Sequence, residues 1–438
     1  MSRRPSFVFV LADDLGSADL GCYSGVGAPF AVSPVIDALA RAGLRCTHAL
    51  ANSPVCSPTR FALMTGRYQY RYRGAAEEPL GSNERGSSVL GLPSDVPTLA
   101  SRLRDAGYRT ALVGKWHLGF PPDFGPRKSG YESFFGATAG AVDYFTHRDP
   151  RGVPDLWENE TEITLDGYFT DLVSDRAVRF VREQVAGAPF LLSVHYTAPH
   201  WPWETRDDRA EAARISPRLT HTDGGSLDTY WRMIHHMDEG IGGILAALDE
   251  RGLADDTLVV FTSDNGGERY SNNWPFVGGK MDLTEGGLRV PLAARWPGRI
   301  APGSVSATPN LTMDWTATML RAAGLADDGE HPLDGVDLAP LFADPRWSPP
   351  RRLYWRMNHR RQRAMREGRH KYLSVDGHEY LFDVVADPRE RANLARRDAA
   401  RLDAMRGAWE AWAATMPGIP PDARVHLVYG DAELPRPT

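Results

Sequence analysis

Short apolar runs alternate with amphipathic helical patterns along most of the chain, and this alternation is the strongest constraint on the fold. Each run has the length of a strand and is followed by a polar loop: 6–12 (SFVFVLA), 108–114 (YRTALVG), 189–198 (PFLLSVHYTA), 257–263 (TLVVFTS) and 288–296 (LRVPLAARW). Between them, apolar residues recur at helical spacing. Continuous apolar strands separated by amphipathic helices are typical of parallel sheets that helices cover. We therefore predict an α/β fold with a large, mostly parallel central sheet flanked by helices.

The last part of the chain has a different pattern. Three short strand-like stretches (RLYWRM, RAMREGRHKYLSV and HEYLFDVV) are separated by turn signals and followed by a helical pattern near 397–415. Strand-like runs joined by short turns indicate antiparallel pairing, and the Pro-Pro break in WSPPRR precedes them. We predict a main α/β domain over 1–349 and a small C-terminal subdomain over 350–438, built from an antiparallel sheet and a helix.

Composition argues against several classes of protein. The 438-residue chain has a formal net charge of −6, which disfavours general nucleic-acid binding. No apolar stretch approaches the length of a membrane span, and the first apolar run is too short for a secretion signal. The three cysteines lack the spacing of a disulfide framework. We expect a cytoplasmic protein with neither nucleic acid nor membrane as partner, and the sequence gives no indication of its oligomeric state.

Polar side chains follow four of the apolar runs, at or soon after the point where each run ends. They are Asp13, Asp14, Lys115, His117, His200, Asp264 and Asn265. Taken singly, an Asp-Asp pair or an Asp-Asn-Gly-Gly sequence is more often a turn, and a single histidine is more often a packing residue. In an open α/β sheet, however, ligands bind beyond the carboxyl ends of the strands. The sequence therefore predicts one site at one sheet edge.

The residue types in this predicted site indicate its chemistry. The first two aspartates, Asp264 and Asn265 offer oxygen ligands, which suit calcium or magnesium. Three carboxylates placed together would repel one another without a cation, so we expect a divalent ion. The nearby lysines and histidines, with Lys280, add positive or protonatable groups. A metal ion with such groups suits an anionic tetrahedral substrate such as a sulfate or phosphate ester.

Cys56 lies at a predicted helix start. Pro58 suits the first turn of a helix, and the helical pattern continues to Gly66. A helix N-terminus favours negative charge, which would suit a reactive group. A single cysteine is nevertheless more often an inert buried thiol, and the local pattern leaves both roles open.

The segment that begins at Cys56 resembles a known family signature. Cys56-Ser57-Pro58-Thr59-Arg60, followed after four residues by Thr65-Gly66, is similar to the type I sulfatase motif Cys-x-Pro-x-Arg-x4-Thr-Gly. Seven further segments resemble motifs of this family in family order: VLADDLG, GKWHLG, TAPHWPW, TSDNGG, GGKMDLTEGGLRVP, LDGVDLAPLF and EYLFDVVADPRERANLA. The resemblance runs from about residue 6 to 395 and extends to the alkaline-phosphatase-like superfamily. Thr59, where serine is frequent, is a minor departure.

The resemblance implies a cofactor set. In the family, the cysteine corresponding to Cys56 is oxidised to Cα-formylglycine by a formylglycine-generating enzyme. The modified residue would bind one divalent ion together with Asp13, Asp14, Asp264 and Asn265. Calcium is expected ahead of magnesium or manganese.

The resemblance also implies catalytic roles. A hydroxyl of the hydrated aldehyde, held by Arg60, would attack sulfur and form a covalent sulfo-enzyme intermediate. His200 would protonate the leaving alcohol or phenol beside Lys280, and Lys115 would bridge aldehyde and sulfate. His117 would take a proton from the second hydroxyl, which expels inorganic sulfate.

The substrate and three rival functions stay open at this point. Segments 141–147 and 201–204 and the basic run 351–371 are candidates for the pocket rim, although a basic run of this kind more often forms a solvated hairpin face. Either a sulfated saccharide or a sulfated small molecule fits. A phosphonate monoester or phosphodiester hydrolase on the same fold is the main alternative. A non-catalytic anion-binding protein would require unmodified Cys56. A nucleic-acid binder would use 351–371, which the net acidity disfavours.

Overall fold

The computed structural model describes residues 4–23, 27–72, 79–215 and 224–418. The strands are β1 (Ser6–Ala12), β2 (Leu44–Cys46), β3 (Ala49–Leu50), β4 (Arg109–Gly114), β5 (Ser133–Gly136), β6 (Trp157–Glu158), β7 (Thr161–Glu162), β8 (Phe190–His195), β9 (Thr257–Ser263), β10 (Leu292–Arg295), β11 (Ser304–Ser306), β12 (Asn310–Leu311), β13 (Arg352–Met357), β14 (Gln362–Glu367), β15 (His370–Val375) and β16 (His378–Asp383). The helices are α1 (Pro34–Arg41), α2 (Cys56–Thr65), α3 (Leu99–Asp105), α4 (Phe169–Arg182), α5 (Arg209–Ile215), α6 (Leu227–Glu250), α7 (Glu285–Leu288), α8 (Thr312–Ala322), α9 (Pro340–Ala343) and α10 (Ala399–Ala413). Within these ranges, no helix is both long and apolar enough to span a membrane.

Ten strands form one large sheet in the order β11-β2-β10-β9-β1-β8-β4-β5-β6-β7. The five central strands, from β9 to β5, run parallel to one another. On one side β10 pairs antiparallel with β9, and on the other β6 pairs antiparallel with β5. The prediction of a large, mostly parallel central sheet is confirmed.

Strand β1 shows why the apolar run at the start of the chain is continuous. Val8 and Val10 pack into the cluster that contains α1, α4 and α6. Phe7, Phe9 and Leu11 pack into the cluster that contains α2, α3 and α8. Because successive side chains of a strand point to opposite faces, a strand covered by helices on both faces needs apolar residues at every position. Helices therefore flank both faces of the central sheet, as predicted.

The C-terminal part forms a second, smaller sheet. Strands β13, β14, β15 and β16 pair antiparallel in chain order. Helix α10 packs on one face of this sheet, and the other face packs against the main domain, where Trp355 Nε1 donates to the Ala51 carbonyl at 2.9 Å. The predicted antiparallel sheet and helix are confirmed. The domain boundary at 350 stays a prediction, and residues 419–438 of that unit lie outside the described residues.

Candidate active site

The strand ends bring the predicted polar residues to one edge of the large sheet. Asp13 and Asp14 follow β1, and Asp264 follows β9, its immediate neighbour. The two turns are tied together, because Asp264 N donates to the Ala12 carbonyl at 3.1 Å and Asp14 N donates to Asp264 Oδ1 at 3.3 Å. Lys115 directly follows β4, on the other side of β8. The predicted convergence is therefore present in the structure.

Helix α2 places Cys56 and Arg60 beside these turns. Cys56 is the first residue of α2, and every residue of the helix is buried. Because the two residues are four positions apart, they lie on the same side of the helix. Arg60 Nη1 donates to the Lys115 carbonyl at 3.1 Å. Burial raises the pKa of the Cys56 thiol well above its usual value, and a thiol that does not ionise is a poor nucleophile.

Asp13 and Asp264 share the Arg60 guanidinium, and Asp13 has Lys115 as a second cationic partner. Arg60 Nη2 lies 2.9 Å from Asp264 Oδ2 and 3.5 Å from Asp13 Oδ2, and Lys115 Nζ also pairs with Asp13 Oδ2. Both oxygens of Asp264 thus accept hydrogen bonds within the protein. Burial and the Asp264 charge together raise the pKa of Asp13 to about 8, despite Lys115 and Arg60. A further positive charge at Asp13 would stabilise its ionised form.

Asp14 has a different set of partners. Lys280 Nζ lies 2.6 Å from Asp14 Oδ2, and His200 Nε2 lies 3.5 Å from the same oxygen. Asn265 Nδ2 donates to Asp14 Oδ1 at 2.7 Å. Burial opposes ionisation of Asp14, but Lys280 and His200 outweigh it and hold the pKa of this carboxyl well below its usual range. Lys280 and His200 therefore approach the same carboxylate oxygen, Asp14 Oδ2, from two different loops.

The residues present fit a divalent cation. One ligand atom from each of Asp13, Asp14, Cys56 and His200 lies within 4.8 Å of the others. Among the described residues, the buried atoms Asp13 Oδ1 and Asn265 Oδ1 have no hydrogen-bond partner. Buried polar oxygens are rarely left in this state. A bound cation would supply the missing partner, and oxygen donors of this kind suit calcium or magnesium.

The two predicted catalytic histidines are oriented through backbone carbonyls. His117 Nε2 donates to the Leu80 carbonyl at 2.7 Å, so Nδ1 is the acceptor nitrogen, and this atom is buried with no partner among the described residues. His200 Nδ1 donates to the Trp201 carbonyl at 2.6 Å, which directs Nε2 towards Asp14. Burial lowers the pKa of both imidazoles well below its usual value. The two rings thus offer different nitrogens to the site.

A cavity of about 220 Å³ opens over Cys56. Cys56, His117, His200 and Lys280 form part of its lining. The other lining residues are mostly apolar or small: Pro79, Leu80, Gly81, Gly140, Ala141, Pro150 and Trp201. Three polar residues complete it: Ser82, Asn83 and Arg151. Arg151 Nη1 donates to the Ser82 carbonyl at 3.2 Å, and Arg151 is in no ion pair among the described residues. Among the described residues, the cavity therefore has an apolar wall and a cationic side chain, Arg151, that lacks a counter-ion.

The predicted rim agrees with this cavity only in part. Ala141 and Trp201 line it, as expected from their segments. Tyr144 and Trp203 are buried instead, and the Tyr144 hydroxyl donates to the His200 carbonyl at 2.9 Å. No residue of the basic run 351–371 lines the cavity, so the structure does not support a role for this run at the rim. Arg351 precedes β13, and the other arginines of the run and Lys371 lie on β13, β14, β15 and their connections.

Sequence comparison gives one family. A family model described as Sulfatase matches residues 5–325. Steryl-sulfatase of Mus musculus is 34% identical over 423 residues, and the match covers 78% of this chain and 65% of the mouse protein. N-acetylgalactosamine-6-sulfatase of Canis lupus familiaris is 33% identical over 360 residues, with coverages of 78% and 66%. The chain thus spans slightly less than two thirds of the length of these relatives.

Structural comparison agrees over nearly the whole chain. The crystal structure of Ps i-CgsB in complex with k-i-k-neocarrahexaose superposes with a TM-score of 0.84 at 30% sequence identity. The superposition covers 94% of this chain and 93% of that chain. Both the large sheet and the smaller C-terminal sheet therefore fall within the shared fold.

Proposed function

This chain belongs to the sulfatase family, and on that premise we propose that it hydrolyses a sulfate ester to inorganic sulfate and an alcohol or phenol. The observation that carries the proposal is the position of Cys56. It begins a buried helix, lines the cavity, and lies within 4.8 Å of ligand atoms from two aspartates and a histidine. A family signature cysteine is thus next to a candidate metal centre and open to a ligand.

The proposed active form carries two groups beyond the encoded side chains. Cys56 is converted to Cα-formylglycine by a formylglycine-generating enzyme, and one divalent ion, calcium in the first instance, is held by Asp13, Asp14, Asp264, Asn265 and the modified Cys56. The bound ion supplies positive charge that polarises the hydrated aldehyde and the sulfate oxygens. The unpartnered oxygens of Asp13 and Asn265 support this ligand set.

The chain's own side chains then orient the substrate and move protons. Arg60 and Lys115 hold the nucleophilic oxygen and the sulfate group from the side of the central sheet. Lys280 Nζ and His200 Nε2 approach from two different loops and flank the ester oxygen. The negative charge of the bound sulfate group favours the protonated imidazole, from which His200 Nε2 donates the proton to the leaving group. His117 Nδ1, which has no hydrogen-bond partner among the described residues, accepts the proton of the second hydroxyl of the hydrated aldehyde, and sulfate is then expelled.

We propose a sulfated saccharide as the substrate class. Trp201 provides an aromatic wall on which a sugar ring can pack, while Asn83 and Arg151 supply hydrogen bonds at the mouth. The relative at 30% identity was crystallised with a neocarrahexaose, which supports the same class. A phosphonate monoester hydrolase is not favoured, since the matched relatives are named as sulfatases. The cytoplasmic location stays a prediction from the sequence.

The test uses protein whose formylglycine content has been measured by peptide mass spectrometry. A panel of sulfated sugars, an aryl sulfate, and a phosphonate monoester of the same phenol is assayed on one batch. We expect a sulfated sugar to have the highest kcat/KM and the phosphonate ester the lowest of the panel. Faster turnover of the phosphonate monoester than of every sulfate ester would overturn the proposal.

A further inference from the structure

Lys280 reaches the active site from a loop, not from a strand or helix end. The segment between β9 and α7 that carries it has no regular secondary structure. Lys280 is 7% exposed, and its amine lies 2.6 Å from Asp14 Oδ2 and 3.2 Å from Glu268 Oε2. A lysine has a long, flexible stem. The backbone around it must therefore be fixed by other contacts if its amine is to be placed accurately.

Gln362 supplies such contacts from the C-terminal sheet. Its Nε2 donates to the Met281 carbonyl at 2.8 Å, and its Oε1 accepts from Leu283 N at 2.8 Å. One side-chain amide thus contacts the two residues that flank Asp282. The same Nε2 also donates to the His359 carbonyl at 3.1 Å, just before β14. Gln362 is the first residue of β14 and is 2% exposed, so water does not compete for these bonds.

The backbone of Met281, to which Gln362 is hydrogen-bonded, has an unfavourable conformation. Met281, directly after Lys280, has φ of +75°, a conformation that non-glycine residues rarely adopt. Its N–H donates to the Pro54 carbonyl at 2.8 Å, two residues before Cys56. Strained backbone of this kind persists only where the surroundings determine it. Here Pro54 and Gln362 hold the two ends of Met281.

From this geometry we propose that Gln362 is a positioning residue for Lys280, through which the C-terminal sheet sets the active-site geometry without lining the cavity. The amide holds the Met281 peptide in its left-handed conformation, and this fixes the direction in which the preceding lysine leaves the backbone. The inference rests on the proposed role of Lys280 at the ester oxygen. It assigns Gln362 no contact with substrate.

A second contact joins the same two units but does not act on Lys280. Helix α7 follows the loop, and Lys371 Nζ on β15 lies 3.1 Å from Glu285 Oε1 and 2.9 Å from Glu390 Oε1. This buried ion pair attaches α7 to the smaller sheet. The ion pairs of Lys371 therefore hold the main domain and the C-terminal sheet together, whereas the Gln362 amide contacts the peptides next to Lys280.

A double-mutant cycle tests the proposal. Gln362→Met removes every hydrogen bond of the amide at similar volume, and Gln362→Glu keeps an oxygen that can accept from Leu283 N but removes the donor to the Met281 and His359 carbonyls. In protein with confirmed formylglycine, we expect each variant to lower kcat for an alkyl sulfate by roughly tenfold or more, with a smaller effect on KM. In a Lys280→Ala background the same changes should add little, because the group they position is gone. Tyr372→Phe is the control, since the hydroxyl that it removes donates to Glu379 on the face of the same sheet that α10 covers.

Chemical labelling gives a readout that needs no turnover. The Lys280 amine is acylated with acetic anhydride, and peptide mass spectrometry follows its labelling rate. We expect Lys280 to react faster in Gln362→Met and Gln362→Glu than in the wild type or Tyr372→Phe. Equal kcat losses in the Lys280 and Lys280→Ala backgrounds, or an unchanged labelling rate in a folded Gln362 variant, would overturn the inference. Because labelling is independent of catalysis, loss of the proposed function alone would leave the labelling result intact.

Discussion

Arg60 and Asp264 form a two-point ion pair that is shielded from solvent. Nε and Nη2 of Arg60 donate to Oδ2 of Asp264 at 3.1 and 2.9 Å, and both side chains are fully buried. Arg60 lies on α2 and Asp264 follows β9. The pair therefore joins the helix that begins at Cys56 to the sheet edge that carries the aspartates.

Removing the guanidinium should be costly for stability. In Arg60→Ala, Asp264 keeps a buried charge without its main partner, and we expect the free energy of unfolding to fall by about 3–5 kcal/mol. Urea denaturation measures this change. Arg352→Ala is the control, because its pair with Glu367 is about half exposed and should contribute less than about 1 kcal/mol. Similar small losses in both variants would contradict the structural role of the buried pair.

Metal binding should stabilise the fold as well as support activity. Calcium at about 100 times its dissociation constant should add about 2.7 kcal/mol to the free energy of unfolding, and Asp13→Asn should reduce this gain. Thermal denaturation with calcium or with a chelator measures it. Asp255→Asn, an exposed carboxylate at the opposite end of β9, should leave the calcium response unchanged. Full activity and unchanged stability after exhaustive chelation would argue against a metal centre.

Replacing His200 and replacing His117 should impair different steps of the reaction. His200→Ala should slow alkyl sulfates by roughly 10²-fold or more and activated aryl sulfates far less, because only a poor leaving group needs the proton. His117→Ala should leave sulfate covalently attached to the peptide that contains the modified Cys56. Leaving-group series and rapid-quench mass spectrometry measure the two effects. Uniform losses for His200→Ala and no retained sulfate for His117→Ala would mean that the assigned roles are wrong.

Arg151 should select substrates with a second anionic group. Its guanidinium lines the cavity and has no counter-ion among the described residues. Arg151→Gln should raise KM by roughly tenfold for a sulfated sugar with an additional carboxylate or sulfate, and should leave a monosulfated neutral sugar nearly unaffected. Arg148→Gln is a matched control, since Arg148 is on the same loop but does not line the cavity. Equal effects on both sugars would remove Arg151 from substrate selection.

Local sequence patterns predicted the strands of the central sheet, the edge at which the polar residues meet, and the ends of α2. The continuous apolar run of β1 required a strand covered on both faces, and the residues directly after β1, β4 and β9 had to meet at one edge. Pro58 and Gly66 marked the two ends of α2 closely. These features depend on periodicity, chain direction and capping, which are all encoded over a few residues.

Features that depend on distant partners were not predictable in the same way. The basic run 351–371 was one candidate for the pocket rim, with a solvated hairpin face as the alternative, but Lys371 is buried against Glu285, 86 residues away in sequence. Asn83 reaches the cavity from a short 3₁₀ helix (Ser82–Glu84) and Arg151 from a turn, and neither segment has a periodic sequence pattern. Tyr144 and Trp203 belong to the two aromatic segments named as candidates for the rim, yet tertiary packing buries both. A sequence shows the chemistry of such residues, but it does not show which distant residues pack against them and so whether they are buried or line the cavity.

The central claim is that Cys56 acts as formylglycine. Protein is produced with and without the formylglycine-generating enzyme, and each batch is assayed for sulfate release while mass spectrometry of the 53–66 peptide gives the aldehyde fraction. We predict that activity rises in proportion to the aldehyde fraction, and that Cys56→Ala folds normally but is inactive with either batch. Full-rate turnover of a sulfate ester by protein whose Cys56 is wholly unmodified would contradict the account.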